Sequence, residues 1–249
     1  MKLWTFRHFI TYIPTLLAII VIAMLLRKLL LYTPIETRLI PYRILALAIF
    51  GLEIAKQIIS IRVGYDIYNL PFHFCSIFVF FIPLCAFGTE KMRRYLLPFT
   101  TIASATLFLF MLVCPYYAYT DEKIQIFTED FFAFHTVTFH SLVIFTFILI
   151  IALRLYEPNT KTDLKHMLIG LSIYCLIGGT TAQIFECNFN NFYYCAAEFV
   201  DNIRLSIIEN LGHPFGQTIY VFGVSIVNLI FSSFAYAFYR LIHRFVNKY

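Results

Sequence analysis

The apolar residues of this chain are gathered into long blocks, and that spacing limits what it can fold into more than any other feature. A helix needs about 20 mostly apolar residues to cross the hydrocarbon layer of a bilayer. Seven windows meet that demand: 9–26, 44–61, 70–87, 95–113, 131–153, 167–185 and 215–239. The expected fold is therefore an all-α membrane protein, one domain over residues 1–249 built as a polytopic bundle of seven transmembrane helices. Composition agrees. The chain is 60% hydrophobic and 13% charged with mean hydropathy +0.77, where soluble domains carry roughly a quarter charged residues. Soluble, collagen-like, disordered and disulfide-dense secreted classes are all excluded.

The third window is the weakest, because His73, Cys75 and Ser76 lie near its start. Only one charge pair, Glu53 and Lys56, falls well inside a window. The first window follows Lys2 and Arg7, as a signal peptide would, but Arg27 and Lys28 close it without a small-residue cleavage site. It reads as a retained helix.

Seven spans place the termini on opposite faces, and the distribution of Lys and Arg sets the direction. One side carries Lys2, Arg7, Arg62, Lys123 and Arg204, five in all. The other carries Arg27, Lys28, Arg38, Arg43, Lys91, Arg93, Arg94, Arg154, Lys161, Lys165, Arg240, Arg244 and Lys248, thirteen in all. Thirteen against five predicts an outside N-terminus and a cytoplasmic C-terminus in a cell-membrane protein. The basic residues are thereby accounted for as topology signals, and no nucleic-acid partner is expected. Acidic residues segregate the other way, with Asp66, Asp121, Glu122, Glu129, Asp130, Glu186, Glu198, Asp201 and Glu209 on the outer side.

Two outer connections are long, 114–130 and 186–214, and long connections are usually functional or structured. The second contains Phe192, Tyr193, Tyr194 and an apolar patch at 205–211, and is expected to lie in the membrane interface over the helix ends. No internal repeat is visible.

Ionisable and nucleophilic groups are costly inside a bilayer and point to function. Here they are Glu53, His73, Cys75, His135 and His140. If the third helix starts at Leu70, the helical rise puts Cys75 roughly 8 Å deep and His140, in the fifth, roughly 13 Å deep. Pro71 is expected in the first turn of that third helix, where its missing N–H costs nothing. The positive helix end then favours a thiolate or an oxyanion near Cys75. His140 is suited to take the thiol proton, which would make Cys75 a nucleophile. Taken alone, a buried cysteine is more often a small hydrophobe.

Metal binding is the rival chemistry, since His73, Cys75, His135 and His140 are all sensible ligands. At 100° per residue, however, His135 and His140 point about 140° apart and His73 and Cys75 about 160° apart. Four converging ligands are not expected, and neither a metal nor another cofactor is. Glu53 and Lys56, at i and i+3, can neutralise one another, so Glu53 is as much a packing residue as a catalytic one. Cys187 and Cys195 share the long outer connection, where an oxidising compartment would allow a disulfide. Cys114 is a third outer thiol; Cys85 and Cys175 lie in or near apolar stretches and are expected to be inert.

Four ordered segments resemble the YwaF family of bacterial integral membrane proteins. They are Leu70-Pro71-Phe72-His73-Phe74-Cys75-Ser76, Phe131-Phe132 through His135 to His140, Asn191-Phe192-Tyr193-Tyr194, and the run from Ser206 to Pro214. Glu53 falls where that family has an acidic residue in its second helix. The Lys-Pro pair of the family's long outer loop is absent, and His213 with Phe215 replaces a Pro/Trp-rich stretch. That family is similar to a eukaryotic seven-helix acyltransferase that remodels ether phospholipids. The resemblance implies a catalytic Cys at Cys75 and a catalytic His at His140. The expected function is thus acyl transfer on a membrane phospholipid or lysophospholipid at the outer leaflet, with His73, Glu53, Asp66, Asn69 and His135 in support. Asp66, Asn69 or Glu53 would orient the imidazole. The alternative is a non-enzymatic small-solute transporter or channel in which Glu53 and the histidines line a polar path. The sequence leaves the oligomeric state open.

Overall fold

A computed structural model describes residues 4–247. Lys2 and Lys248, which enter the charge count above, lie outside the described residues. Helices appear in the order α1 Phe6–Ile10, α2 Tyr12–Leu30, α3 Ile35–Val63, α4 Phe78–Phe87, α5 Glu90–Val113, α6 Asp121–Gln125, α7 Phe131–Ala152, α8 Thr160–Ile184, α9 Glu198–Leu211 and α10 His213–Val246. No strand occurs among the described residues.

Local sequence explains most of the boundaries. Thr11 interrupts α1 and α2 just before Pro14, which has no N–H to continue the ladder. Gly64 ends α3 at φ +97°, a conformation few other residues adopt. Thr89, Asp130 and Asn159 cap α5, α7 and α8 by accepting from the backbone N–H groups of Met92, Ala133 and Lys161. Gly212, at φ +81°, turns the chain from α9 into α10.

Six helical segments are long and apolar enough to cross a membrane: Phe6–Leu30, Ile35–Val63, Glu90–Val113, Phe131–Ala152, Thr160–Ile184 and His213–Val246. Each overlaps an expected window, and most extend beyond it into basic or polar turns that carry no apolar signal. The third window behaves differently. Residues 70–73 form a turn, a short 3₁₀ stretch covers Phe74–Ile77, and only then does the ten-residue α4 begin. The whole apolar helix Phe74–Phe87 is shorter than a normal crossing.

Helix α5 is the hub. Its apolar window is 72% buried, against 17% for α10, and it packs on α4, α7, α8 and α10. Small residues along it, Thr100, Thr101, Ala103, Ser104 and Ala105, allow that close approach. Around the hub the outer faces are apolar and exposed, for example Leu17, Val21, Met24, Leu47, Leu176, Phe222 and Val227. This is the surface expected of helices solvated by lipid.

The two ends of the bundle differ. At one, Thr5 Oγ1 donates to Asp121 at 2.6 Å, Arg7 donates to the Asp121 carbonyl, and His8 Nε2 donates to the Tyr119 carbonyl at 2.7 Å. At the other, Arg27 donates to the carbonyls of Ala152 and Val246, and Arg38 to that of Leu153. The N-terminal and C-terminal segments therefore lie at opposite ends.

The 186–214 connection is more ordered than a plain loop. Phe189 and Phe192 are fully buried plugs. The Gln183 side chain donates to the Phe192 carbonyl at 2.8 Å, and the Tyr220 hydroxyl to the Asn191 carbonyl at 2.6 Å. Beyond them α9 has no buried residue and exposes Phe199, Ile203, Leu205 and Leu211. The expected apolar patch at 205–211 is thus part of an amphipathic helix.

Candidate functional site

The site lies at the end of the bundle that carries the 64–77 segment. After Gly64 the chain folds back on α3: the Tyr65 hydroxyl donates to Gln57 Oε1 at 2.7 Å, and Gln57 Nε2 donates to the Asn69 carbonyl at 2.8 Å. Exposed Asp66 accepts from the backbone N–H of Tyr68 at 2.9 Å and starts a 3₁₀ turn over Ile67–Asn69. Pro71 then sits in a turn with Leu70 extended before it, as a residue preceding proline prefers.

This corrects the expectation that Pro71 opens the third helix. His73 is the N-cap residue and Phe74 the first helical one, so Cys75 belongs to the first turn. The depth counted from Leu70 does not apply to it. What persists is the chemistry of a helix start, because the first amides there have no acceptor within the helix.

His73 Nε2 donates to the Tyr68 carbonyl at 3.0 Å, and its ring packs on Tyr68 and Phe189 with centroids 4.4 and 5.3 Å away. Phe72 packs between Phe185 and Phe189, and the Tyr174 hydroxyl donates to its carbonyl at 3.3 Å. The Cys75 segment is therefore clamped from α3 on one side and α8 on the other.

Glu53 is buried within α3. Its Oε1 accepts from Lys56 Nζ and from Gln57 Nε2, each at 2.7 Å, while Oε2 accepts from His135 Nε2 at 3.1 Å. The carboxylate thus ties α3 to α7, with a cation beside it to cancel its charge. His135 also stacks on Phe139 at 5.4 Å.

One turn further along α7, His140 is buried and its Nδ1 lies 2.7 Å from the Thr136 carbonyl. A carbonyl oxygen only accepts, so Nδ1 carries the proton and Nε2 of the neutral ring keeps its lone pair. The group that fixes the His140 imidazole is therefore backbone of its own helix. Glu53 orients His135, Asp66 caps a turn, and Asn69 contributes its carbonyl to Gln57.

Lys123 in α6 joins these residues electrostatically. Burial pushes its ammonium below the usual lysine range, against the raising influence of Cys75 and Glu122. It also acts on His73, His135 and His140. Cys75 in turn feels Lys56 and Glu53. Lys123 is therefore within electrostatic reach of both Cys75 and His140. The charge count uses Lys123 only as a topology signal, yet a further signal is present: it is the sole Lys or Arg between Arg94 and Arg154.

Among the described residues no three His, Cys, Asp or Glu side chains form a metal-holding group. The six cysteines form no disulfide, and Cys187 and Cys195 are unlinked and half-buried.

Residues 3–236 match the TMEM164 family. This chain belongs to the TMEM164 family. The match takes in every residue of the site, from Glu53 through Cys75 and Lys123 to His140. It marks a multi-pass membrane protein, in agreement with the apolar helices. No curated protein and no solved structure matches the chain.

Proposed function

We propose that this TMEM164-family chain is a membrane-embedded acyltransferase that uses Cys75 as nucleophile and His140 as base on phospholipid at the outer leaflet of the cell membrane. The observation that carries the reading is the tautomer of His140: with Nδ1 engaged by Thr136, Nε2 is left as a proton acceptor, in the half of α7 nearer the end of the bundle that holds Cys75. The resemblance to the YwaF family supports the same pair.

The chemistry balances with these groups alone. His140 Nε2 takes the Cys75 thiol proton, and the thiolate attacks the ester carbonyl of a donor phospholipid. The C–O bond to the glycerol breaks, an acyl thioester forms on Cys75, and the leaving alkoxide takes the proton from His140. The hydroxyl of an acceptor lysophospholipid then gives its proton to His140 and attacks the thioester, which releases the thiol. Amides in the first turn at Phe74 and Cys75 suit the developing oxyanion, and Lys123 adds positive charge at longer range. The exposed apolar faces of the bundle give acyl chains lateral access.

In this reading Phe74–Phe87 is the third of seven crossings, completed by the polar turn before it. The basic excess at the Arg27–Arg154 end orients that end to the cytoplasm. A transporter would require Glu53 to line a path, but Glu53 sits in a neutral pair with Lys56 and His135, an arrangement suited to holding helices together. Lipid profiles of cells expressing wild type, Cys75→Ala and His140→Ala test the proposal. A change in acyl composition with wild type alone is expected; identical profiles in all three would overturn it.

A further inference from the structure

A second site lies at the opposite end of the bundle, far along the chain from Cys75. There Arg27 donates from Nη1 to the Ala152 carbonyl at 2.7 Å and to Asn247 Oδ1 at 2.8 Å, and from Nη2 to the Val246 carbonyl at 3.1 Å. Arg38 donates to the carbonyls of Leu153 and Arg154 at 2.8 and 3.2 Å. Arg154, held at φ +47°, donates from Nε and Nη2 to the side chain and carbonyl of Asn247 at 2.9 and 3.0 Å. Carbonyls at helix C-termini carry partial negative charge, and they engage Nη groups of Arg27 and Arg38. They do not account for Arg154 Nη1 or for Arg244, which has no hydrogen bond or ion pair among the described residues. No carboxylate lies within ion-pair distance of Arg27, Arg38, Arg154 or Arg244 among the described residues.

Arg154 and Arg244, with Asn247, border an open cavity of about 680 Å³. Arg154, Arg244 and His243 supply its polar wall, with Glu157 the one acid, 3.4 Å from His243. Leu241 and Phe245, one turn apart on α10, supply an exposed apolar wall. The residues Leu241–Asn247 lie beyond the stretch matched to the TMEM164 family.

We infer that this cavity binds the phosphate of an anionic phospholipid, held by Arg154 and Arg244, with an acyl chain along Leu241 and Phe245. The juxtaposition carries the inference: unspent guanidinium N–H groups beside an exposed apolar wall, at the end of the bundle where the lipid-facing belt stops. Basic pockets between helix ends recognise lipid headgroups in this way, and guanidinium–phosphate hydrogen bonds are among the strong ones. The site is independent of the Cys75 chemistry and stands or falls without it.

The test uses the full chain in lipid nanodiscs and detergent, with phosphatidylglycerol, phosphatidylcholine and inorganic phosphate as probes. Native mass spectrometry is expected to show phosphatidylglycerol retained over phosphatidylcholine, and thermal melting to rise with the anionic lipid. Arg244→Gln, which removes no bond to any described residue, should weaken retention about tenfold. Arg154→Gln should do the same, while Lys161→Gln, an exposed charge at the same end, should leave retention intact. Equal retention of both lipids, or an equal loss with Lys161→Gln, would overturn the inference. Stabilisation by inorganic phosphate equal to that by the lipid would overturn the lipid assignment.

Discussion

Glu53 occupies a place where an unpaired charge is most costly, and its three donors explain why it is tolerated. Breaking a buried pair from one side leaves the other charge stranded, at a cost of roughly 3–5 kcal/mol. Replacing both charges by apolar groups is often nearly neutral. Glu53→Gln alone should therefore lower the melting temperature more than Glu53→Gln combined with Lys56→Met. Additive losses in that double-mutant cycle would show that the two do not act as a pair. At the surface, Asp201 illustrates the opposite regime. Its carboxylate accepts from Arg204 Nε at 2.7 Å and from the Cys195 N–H at 2.9 Å. The Arg204 hydrogen bond holds it below the usual carboxylate range, against a smaller opposing influence of burial. A depressed folded pKa means the stabilisation is full above the unfolded value, near 4, and is lost as pH falls through the folded value. Screening limits it to about 0.5–1 kcal/mol. The melting-temperature gap between wild type and Asp201→Asn should be present at pH 7 and close in acid.

At the scale of elements, the α9–α10 turn depends on close backbone approach. A Cβ at Gly216 would lie 2.7 Å from Ile208 Cα and 3.0 Å from the Ile207 carbonyl, both backbone, whereas one at Gly223 meets nothing within 4 Å. Gly216→Ala should destabilise by roughly 1–3 kcal/mol, and Gly223→Ala should be neutral or slightly stabilising. Thermal melting of the two variants checks this. Elements also show what the sequence made legible. Apolar blocks revealed the long helices because lipid demands an apolar exterior as well as an apolar core. The start of α4 was not legible: Pro71 reads equally as a helix opener or a turn residue, and the choice fell to tertiary bonds from Tyr174 and from His73 to Tyr68. Gln57 is legible as a hydrogen-bonding group one turn from Glu53, whereas the roles of Tyr65 and Lys123 escaped for a related reason. Their contacts join an irregular segment or a short helix to α3 and α7, and no periodicity announces such pairings. Cys75 and His140 stand as candidates through their type and resemblance alone, and the Thr136 carbonyl that fixes the His140 tautomer is a backbone partner of a kind every helical residue has, so no pattern announces it.

For the whole molecule, the sequence count of thirteen cations against five predicts which end faces the cytoplasm, and the arginine-capped helix termini belong to the richer side of that count. Single cysteines placed at Glu129 and at Lys161 in a chain otherwise lacking exposed thiols should report this. A membrane-impermeant maleimide should label position 129 from outside intact cells and position 161 only after permeabilisation; the reverse pattern would invert the orientation and move the Cys75 site to the inner leaflet. The central claim, however, is covalent. Purified protein incubated with phospholipid and analysed by intact mass spectrometry tests it most directly. The account predicts an added acyl mass on wild type that hydroxylamine removes, absent from Cys75→Ser and formed far more slowly in His140→Ala. An adduct that persists in Cys75→Ser, or none on wild type under conditions where lipid turns over, would contradict it.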